Sequence, residues 1–253
     1  MLLNSIYVLN FITIKTYDHS KYTFMNKKEI NIHGFRHILH EPENISKDDM
    51  IKKSDAFYQW LNKRRSIREF SDKDVPKVVI ENIIKAASTA PSGAHKQPWT
   101  FCAISNKDLK HQIRIAAEAE EKETYENRMG ERWKNDLAAM ATDMNKPFLE
   151  IAPWIIVACK RAYEYEEDGA KHNNYYVNES VGLACGMLIT AIHNAGLVTL
   201  THTPSPMKFL TKLLKRPDNE RAFLLLPVGY PKEPVFVPDL KRKTLDQVAV
   251  FYE

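Results

Sequence analysis

Arg64, Arg65 and Arg68 fall within five residues of one another, with the Ser66 hydroxyl between them. A guanidinium is a rigid fork that matches phosphate oxygens two at a time, and each charge-assisted contact is worth roughly 1.5–3 kcal/mol, so this spacing suits a terminal phosphate. The plainer alternative is a cationic helix end answering the helix dipole, which needs one charge rather than three. A second stretch, 89–100, is bounded by Pro91 and Pro98 and contains Ser92, Gly93 and Ala94. Gly93 has no Cβ and its neighbours are small, so backbone N–H groups there can come close to a flat or anionic ligand; an ordinary turn before a strand accounts for it equally well. Thr199, Thr201 and Thr203 alternate, so on a strand their hydroxyls share one face while Leu200 and His202 take the other. Such a row can donate to a heteroaromatic ligand, although threonine is common in any strand. Glu121 and Tyr125 are four apart, on one side of a helix, and Lys146 closes the following segment. A carboxylate, a phenol and an ammonium complement a zwitterionic amino acid; by themselves they read more simply as a solvated charged helix.

The elements that must position these groups follow from periodicity and punctuation. Ser46 and Asp49 resemble a capping box, and Met50, Ser54, Phe57 and Leu61 recur at helical spacing, predicting a helix over 47–63 that ends at the arginines. A second helix starts at Pro76 and runs to the Pro91 loop, followed by a strand over 99–104. Residues 107–127 form a strongly polar helix broken at Gly130, and another helix is expected over 131–145. The apolar run 154–159 predicts a central strand, 174–194 a helix rich in small residues, and 198–203 a strand. A short helix at 206–215 and a strand at 223–228 precede a tail whose Pro231, Pro234 and Pro238 make it an extended arm. Residues 1–45 show little periodicity, and His33, His37 and His40 are too loosely spaced for a metal site. The expected organisation is an N-terminal extension (1–45) and one α+β domain (46–253), with a helical lid over about 107–147 and a C-terminal arm over about 231–253.

The chain has 253 residues, 44% of them hydrophobic, and its 36 basic and 32 acidic side chains are spread along it, which disfavours a nucleic-acid footprint. Cys102, Cys159 and Cys185 are far apart in apolar runs and read as free thiols in a reducing compartment. The apolar stretch 1–14 is interrupted by Asn4 and Asn10, so a soluble, cytoplasmic protein with no membrane partner is expected. The sequence has no dinucleotide fingerprint, phosphate-binding P-loop, zinc motif or nucleophile elbow. An anion site, a small-residue loop and hydroxyls without a built-in nucleophile point to a borrowed cofactor.

With these residues in view, the chain resembles the nitroreductase superfamily of flavoproteins, most closely the branch that removes halide from halotyrosines. The resemblance covers roughly three quarters of the chain, from about Phe57 to the tail. It is carried by Asn62-Lys-Arg-Arg-Ser-Ile-Arg68, Thr89-Ala-Pro-Ser-Gly-Ala-His95, Pro98-Trp-Thr-Phe101, Arg128-Met-Gly130, Asn194-Ala-Gly-Leu-Val-Thr199, Leu225-Leu-Pro-Val-Gly-Tyr-Pro231 and Val237-Pro-Asp-Leu-Lys-Arg-Lys243. It implies an α+β sandwich with a central mixed sheet flanked by helices, forming an intertwined homodimer with FMN at the interface. Arg64, Arg65, Ser66 and Arg68 would hold the phosphate and ribityl end, Ser92 and Gly93 would lie beside the flavin, and Arg242 would reach it from the arm. Thr203 would sit near the ring edge, and Thr201 matches the family hydroxyl that bonds flavin N5. Glu121, Tyr125 and Lys146 match the substrate clamp, with the Ala94 N–H facing the substrate phenolate.

The resemblance departs at the N-terminus, where animal members carry a membrane anchor, and over 204–213, which is shorter and different. The activity it implies is FMN-dependent reductive dehalogenation of halotyrosines, with electrons from NAD(P)H directly or through a reductase. Two alternatives stay open: an NAD(P)H-dependent nitroaromatic or quinone reductase of the same fold, which needs only an open flavin face, and a flavin-binding protein without turnover. Neither gains from the clamp.

Overall fold

A computed structural model describes residues 22–26 and 28–253, which divide into two units, one up to Asp55 and one from Ala56 to Glu253. The apolar stretch 1–14 lies outside the described residues. In the first unit β1 (Tyr22–Asn26), β2 (Glu29–Ile32) and β3 (Phe35–Ile38) form an antiparallel meander. His33 and Gly34 turn β2 into β3 with φ of 51° and 86°, the left-handed pair whose twist matches the flanking strands. Neither β2 nor β3 buries a side chain fully, so no alternation marks them in the sequence, which is why this stretch showed no period. Helix α1 (Lys47–Asn62) begins at the expected cap, with the Asp49 N–H donating to Ser46 Oγ at 3.1 Å. It buries none of its residues in the single chain, and Met50, Phe57 and Tyr58 are exposed.

The second unit runs through α2 (Lys77–Ala87), β4 (Trp99–Ile104), α3 (Lys107–Glu123), α4 (Glu131–Ala138), α5 (Phe148–Ile151) and β5 (Trp154–Arg161). The hairpin β6 (Tyr163–Tyr165) and β7 (Lys171–Asn173), α6 (Val177–Asn194), β8 (Val198–Thr199), α7 (Lys208–Leu213) and β9 (Glu220–Gly229) complete it. The main sheet, in the order β4-β5-β9-β8, pairs antiparallel throughout. Its mixed character comes from one parallel bridge, Ser66 to Thr199, at the β8 edge.

Strand β5 is covered on both faces, as an unbroken apolar run requires. Ile155 and Val157 face a cluster with Ile113, Ala117, Leu149 and Leu210 from α3, α5 and α7. Trp154 and Ile156 face Ile80, Ile83, Leu188 and Ile192 from α2 and α6. The result is a sheet between two helical layers, each side chain above having at most 9% of its surface exposed. Burying one such aliphatic side chain stabilises the fold by about 1.5–3 kcal/mol.

Two elements fall furthest short of their expected length. The helix expected over 131–145 ends at Ala138, and Ala141 turns left-handed at φ 46° before the Asn145 N–H donates to Asp143 Oδ1 at 2.8 Å. The strand expected over 198–203 stops at Thr199 and resumes as the bridge His202 to Leu225. In that register Leu200 faces Pro227, which has no N–H to donate, so the ladder breaks there. Among the described residues no helix is long and apolar enough to cross a membrane.

Candidate functional site

Helix α1 ends at Asn62 and hands the chain to an extended segment whose Ile67 N–H donates to the Thr199 carbonyl at 3.2 Å. Arg64, Arg65, Ser66 and Arg68 are thereby fixed along the β8 edge. Arg242 returns from the C-terminal arm and donates to Asn62 Oδ1 at 2.9 Å and to the Arg64 carbonyl at 2.9 Å. Arg65 donates to the Pro238 carbonyl, tying the arm to the same edge. Burial lowers the pKa of Arg64, with Arg242 and then Arg65 adding to the effect through like-charge repulsion. Burial also lowers that of Arg68, against the pull of Tyr125. Among the described residues none of Arg64, Arg65, Arg68 and Arg242 pairs with a carboxylate. Guanidiniums gathered without an acidic partner fit a multiply charged anion such as a phosphate monoester.

The second group is built on the end of α3. After Glu123 the backbone widens into one π turn, Thr124–Arg128, an irregularity often found at functional positions. Tyr125 lies in that turn and donates from its hydroxyl to the Thr142 carbonyl at 3.1 Å. Lys146 is 3% exposed, its Nζ 3.5 Å from Glu121 Oε2 and donating to Thr142 Oγ1 at 3.1 Å and to the Asp143 carbonyl. Its own N–H donates to Glu118 Oε1 at 2.6 Å. Burial raises the pKa of Glu121, and Lys146 opposes that rise. Burial also raises the Tyr125 phenol, with the charges of Glu121 and Asp143 adding to it. The three residues singled out in the sequence therefore meet around a nearly dry ion pair. Between 118 and 147 only Met129 and Lys146 are buried, whereas Lys110, Ile113 and Ala117 anchor the start of α3.

A residue that the sequence reading left aside joins them. His202, expected to point away from the hydroxyls, does so and lands beneath the clamp, 6% exposed, with Nδ1 3.9 Å from Glu121 Oε1 and its ring edge-on to Phe148. Burial, with Lys146 and Arg68 nearby, drives its pKa down to about 3, so the imidazole is neutral. The signal in the sequence was a histidine on the apolar side of an alternating strand, and it named no partner. Thr201 and Thr203 are exposed on the opposite side, while Thr199 is buried and bonded to the Leu200 carbonyl, so it stands outside the exposed row.

The Ser92–Ala94 loop stands apart. Gln97 N–H donates to Ser92 Oγ at 2.9 Å and Gly93 N–H to Ser180 Oγ at 3.3 Å. A Cβ on Gly93 would lie 3.0 Å from the Tyr175 carbonyl oxygen and 3.0 Å from the Tyr176 ring, a tight fit that favours glycine. Ala94, His95 and Gln97 are all left-handed, with φ of 48°, 55° and 47°, an unusual density of strain for residues with side chains. Ala94 itself is exposed.

This sheet between helical layers, with an arginine edge and a polar clamp, defines the class. The chain belongs to the nitroreductase family, whose model matches residues 61–230. It is 58% identical over 205 residues to the iodotyrosine deiodinase of Haliscomenobacter hydrossis, covering 81% of this chain and 92% of that protein. It is 46% identical over 217 residues to iodotyrosine deiodinase 1 of Homo sapiens, covering 85% of this chain and 74% of that one. A crystal structure of oxidized iodotyrosine deiodinase bound to FMN and 3-iodo-L-tyrosine superimposes with a TM-score of 0.67 and 32% identity, covering 78% of this chain and 98% of that one.

Proposed function

We propose that the protein is an FMN-dependent reductive dehalogenase of halotyrosines that releases tyrosine and halide. The observation that carries this reading is the clamp: Glu121, Tyr125 and Lys146 converge on a nearly dry ion pair of 3.5 Å, a complement to a zwitterion that a reductase of nitroaromatics or quinones has no use for. The unpaired arginines fit the FMN phosphate, held by Arg64, Arg65, Ser66 and Arg68 and reached by Arg242, with Ser92, Gly93, Thr201 and Thr203 toward the flavin ring. Bound and reduced, FMN supplies two electrons. The carbon–halogen bond is replaced by a carbon–hydrogen bond, one proton is consumed, and halide leaves with the bonding pair.

The protein's own residues orient the substrate for that exchange. Lys146 turns from Glu121 to the substrate carboxylate, Glu121 receives the ammonium, and Tyr125 closes over the polar edge. The Ala94 N–H, presented by a strained and exposed turn, donates to the phenolate oxygen and holds the substrate in its ionised form, whose ring carbon accepts a proton where a neutral phenol's does not. Thr201 donates its hydroxyl at the cofactor edge. The sparsely buried stretch 118–147 closes as a lid, expelling water and strengthening each charge pair.

The active form is a homodimer, and NAD(P)H, directly or through a reductase, returns the electrons. Supporting the dimer, Phe236 and Tyr252 of the arm are 84% and 94% exposed and α1 buries nothing, more apolar surface than a monomer comfortably leaves in water.

Turnover by the purified, chemically reduced holoenzyme decides the function. Iodotyrosine should lose iodide far faster than nitroaromatics are reduced. Robust nitroreduction with iodotyrosine untouched would replace this reading with that of a general nitro or quinone reductase.

A further inference from the structure

We propose that His202 is a positioning residue for substrate recognition: its neutral imidazole takes over Glu121 when the substrate carboxylate draws Lys146 away. The inference rests on the halotyrosine reading above and adds to it a member of the clamp that makes no contact with substrate.

The geometry leads there in three steps. First, His202 Nε2 is buried and has no hydrogen-bond partner, a cost that leucine or phenylalanine at the same place would avoid, so packing alone does not account for a histidine. Second, the tautomer follows from the surroundings. Nδ1 faces a carboxylate oxygen at 3.9 Å, so the proton belongs on Nδ1 and the unpartnered atom is a lone pair rather than a stranded N–H. Third, the groups packed against the ring leave it one charged acceptor. Arg68 and Lys146 are cations that keep it unprotonated, Phe148 contributes an apolar edge, and Leu225 fixes the backbone through paired bonds of 2.8 and 3.1 Å. Glu121 is the acceptor that remains.

At 3.9 Å the contact is too long for a hydrogen bond while Lys146 holds the other carboxylate oxygen. Departure of Lys146 to a substrate carboxylate would leave Glu121 ionised in a half-dry pocket. A small approach of Nδ1–H then supplies the missing donor, holding the carboxylate charged and aimed at the incoming ammonium. His202 thus recognises the amino-acid end of the substrate through Glu121, and a ligand without that end does not engage it.

The experiment compares the FMN-loaded protein with its His202→Leu, His202→Asn, His202→Gln and Glu121→Gln variants, titrating flavin fluorescence with iodotyrosine and with 2-iodophenol. The Asn side chain places its N–H near the Nδ1 position, whereas Gln places its own near Nε2. His202→Leu should raise the iodotyrosine Kd about tenfold and leave the 2-iodophenol Kd unchanged, with KM rising and kcat retained. His202→Asn should restore most of the affinity and His202→Gln should not, a contrast that survives even if the Leu variant fails to fold. Equal losses for both ligands, or equal behaviour of Asn and Gln, would overturn the proposal. If Glu121→Gln weakens iodotyrosine while His202→Leu does not, this inference fails and the clamp stands. If Glu121→Gln is also silent, the halotyrosine reading fails with it.

Discussion

The protein carries two charged groups a few residues from the same strand, and they are built on opposite plans. Arg64, Arg65, Arg68 and Arg242 gather like charges with no carboxylate among the described residues to answer them. Glu121 and Lys146 answer each other at 3.5 Å, with Thr142 Oγ1 and the Asp143 carbonyl accepting the ammonium's other hydrogen bonds. The first group is incomplete without an external anion, so a bound phosphate relieves repulsion at no internal cost. The second is complete as it stands, so a ligand enters only by exchanging its own charges for the internal pair. On the proposed function, the first group would retain a cofactor phosphate tightly and the second would admit a zwitterion selectively, and that difference is the reason.

The largest expected effect breaks the internally neutral group. Lys146→Met leaves Glu121 without its cation in a poorly solvated place, and losing one partner of such a pair costs about 3–5 kcal/mol when fully buried, less here because Glu121 retains some contact with water. Urea unfolding should show a loss toward the lower end of that range. Adding Glu121→Gln should recover part of it, and strict additivity in the double-mutant cycle would show that the pair is not coupled.

The arginines should respond the other way. Arg64→Ala removes one of several mutually repelling charges, so the apoprotein's stability should hold or rise slightly. FMN affinity should fall roughly 10- to 150-fold, the equivalent of one charge-assisted contact. Equilibrium dialysis and thermal unfolding of the same sample separate the two readouts. Destabilised apoprotein with FMN affinity retained would mean that the cluster is structural.

His202 gives the comparison a pH dependence. Its pKa falls from 6.5 to about 3 on folding, so below pH 6.5 the unfolded chain takes up a proton that the native imidazole refuses. Its share of the stability is therefore present above pH 6.5 and is lost as the pH falls toward about 3. Between pH 6.5 and 5 that loss is about 1.6 kcal/mol, a little under the full slope of about 1.36 kcal/mol per unit because the unfolded ring is half protonated at pH 6.5. Unfolding measured at both values should show the loss in the wild type and its removal in His202→Leu. An identical acid slope in both proteins would mean that the ring takes up its proton at the same pH in the native and unfolded chains.

How far the sequence could be read follows the same division between local and distant causes. The strand Trp99–Ile104 and the start of α3 at Lys107 were legible because apolar runs and capping residues act within a few positions. The β8 strand was overextended because the residue that cuts it, Pro227, is distant in the chain and meets Leu200 only through the sheet register. Spacing put Glu121 and Tyr125 on one helix side but gave no reason to bring Lys146 to them, since the turn at Thr142 and Asp143 that delivers it has no periodic signal. Their chemistry suggests grouping the three, but only the family resemblance favours that over a solvated charged helix. His202 escaped because its partners lie on α3 and α5, and nothing adjacent in sequence refers to them.

The smallest effect tests whether strain, rather than charge, shapes the element that stands apart from both groups. Adjacent residues of the loop make opposite demands. Gly93 has an ordinary backbone but little room, since a Cβ would press on the Tyr175 carbonyl and the Tyr176 ring at 3.0 Å each. Ala94 has room but sits at φ 48° and ψ 31°, where a Cβ crowds the following carbonyl. Gly93→Ala should therefore destabilise the apoprotein by about 1–3 kcal/mol, the range for forcing a methyl into a packed site. Ala94→Gly removes left-handed strain of about 1–2 kcal/mol while giving the unfolded chain about 0.4–1 kcal/mol of extra freedom, a net gain centred on about 1 kcal/mol. For a chain of this length that is about 2–4 °C in Tm, within reach of calorimetry on the two apoproteins side by side. The stabilised Ala94→Gly protein should at the same time bind halotyrosine less tightly, because glycine lets the N–H swing away from the phenolate. A Gly variant that is both more stable and unimpaired in binding would show that the strained turn serves no ligand, and would return the loop to the status of an ordinary connection before β4.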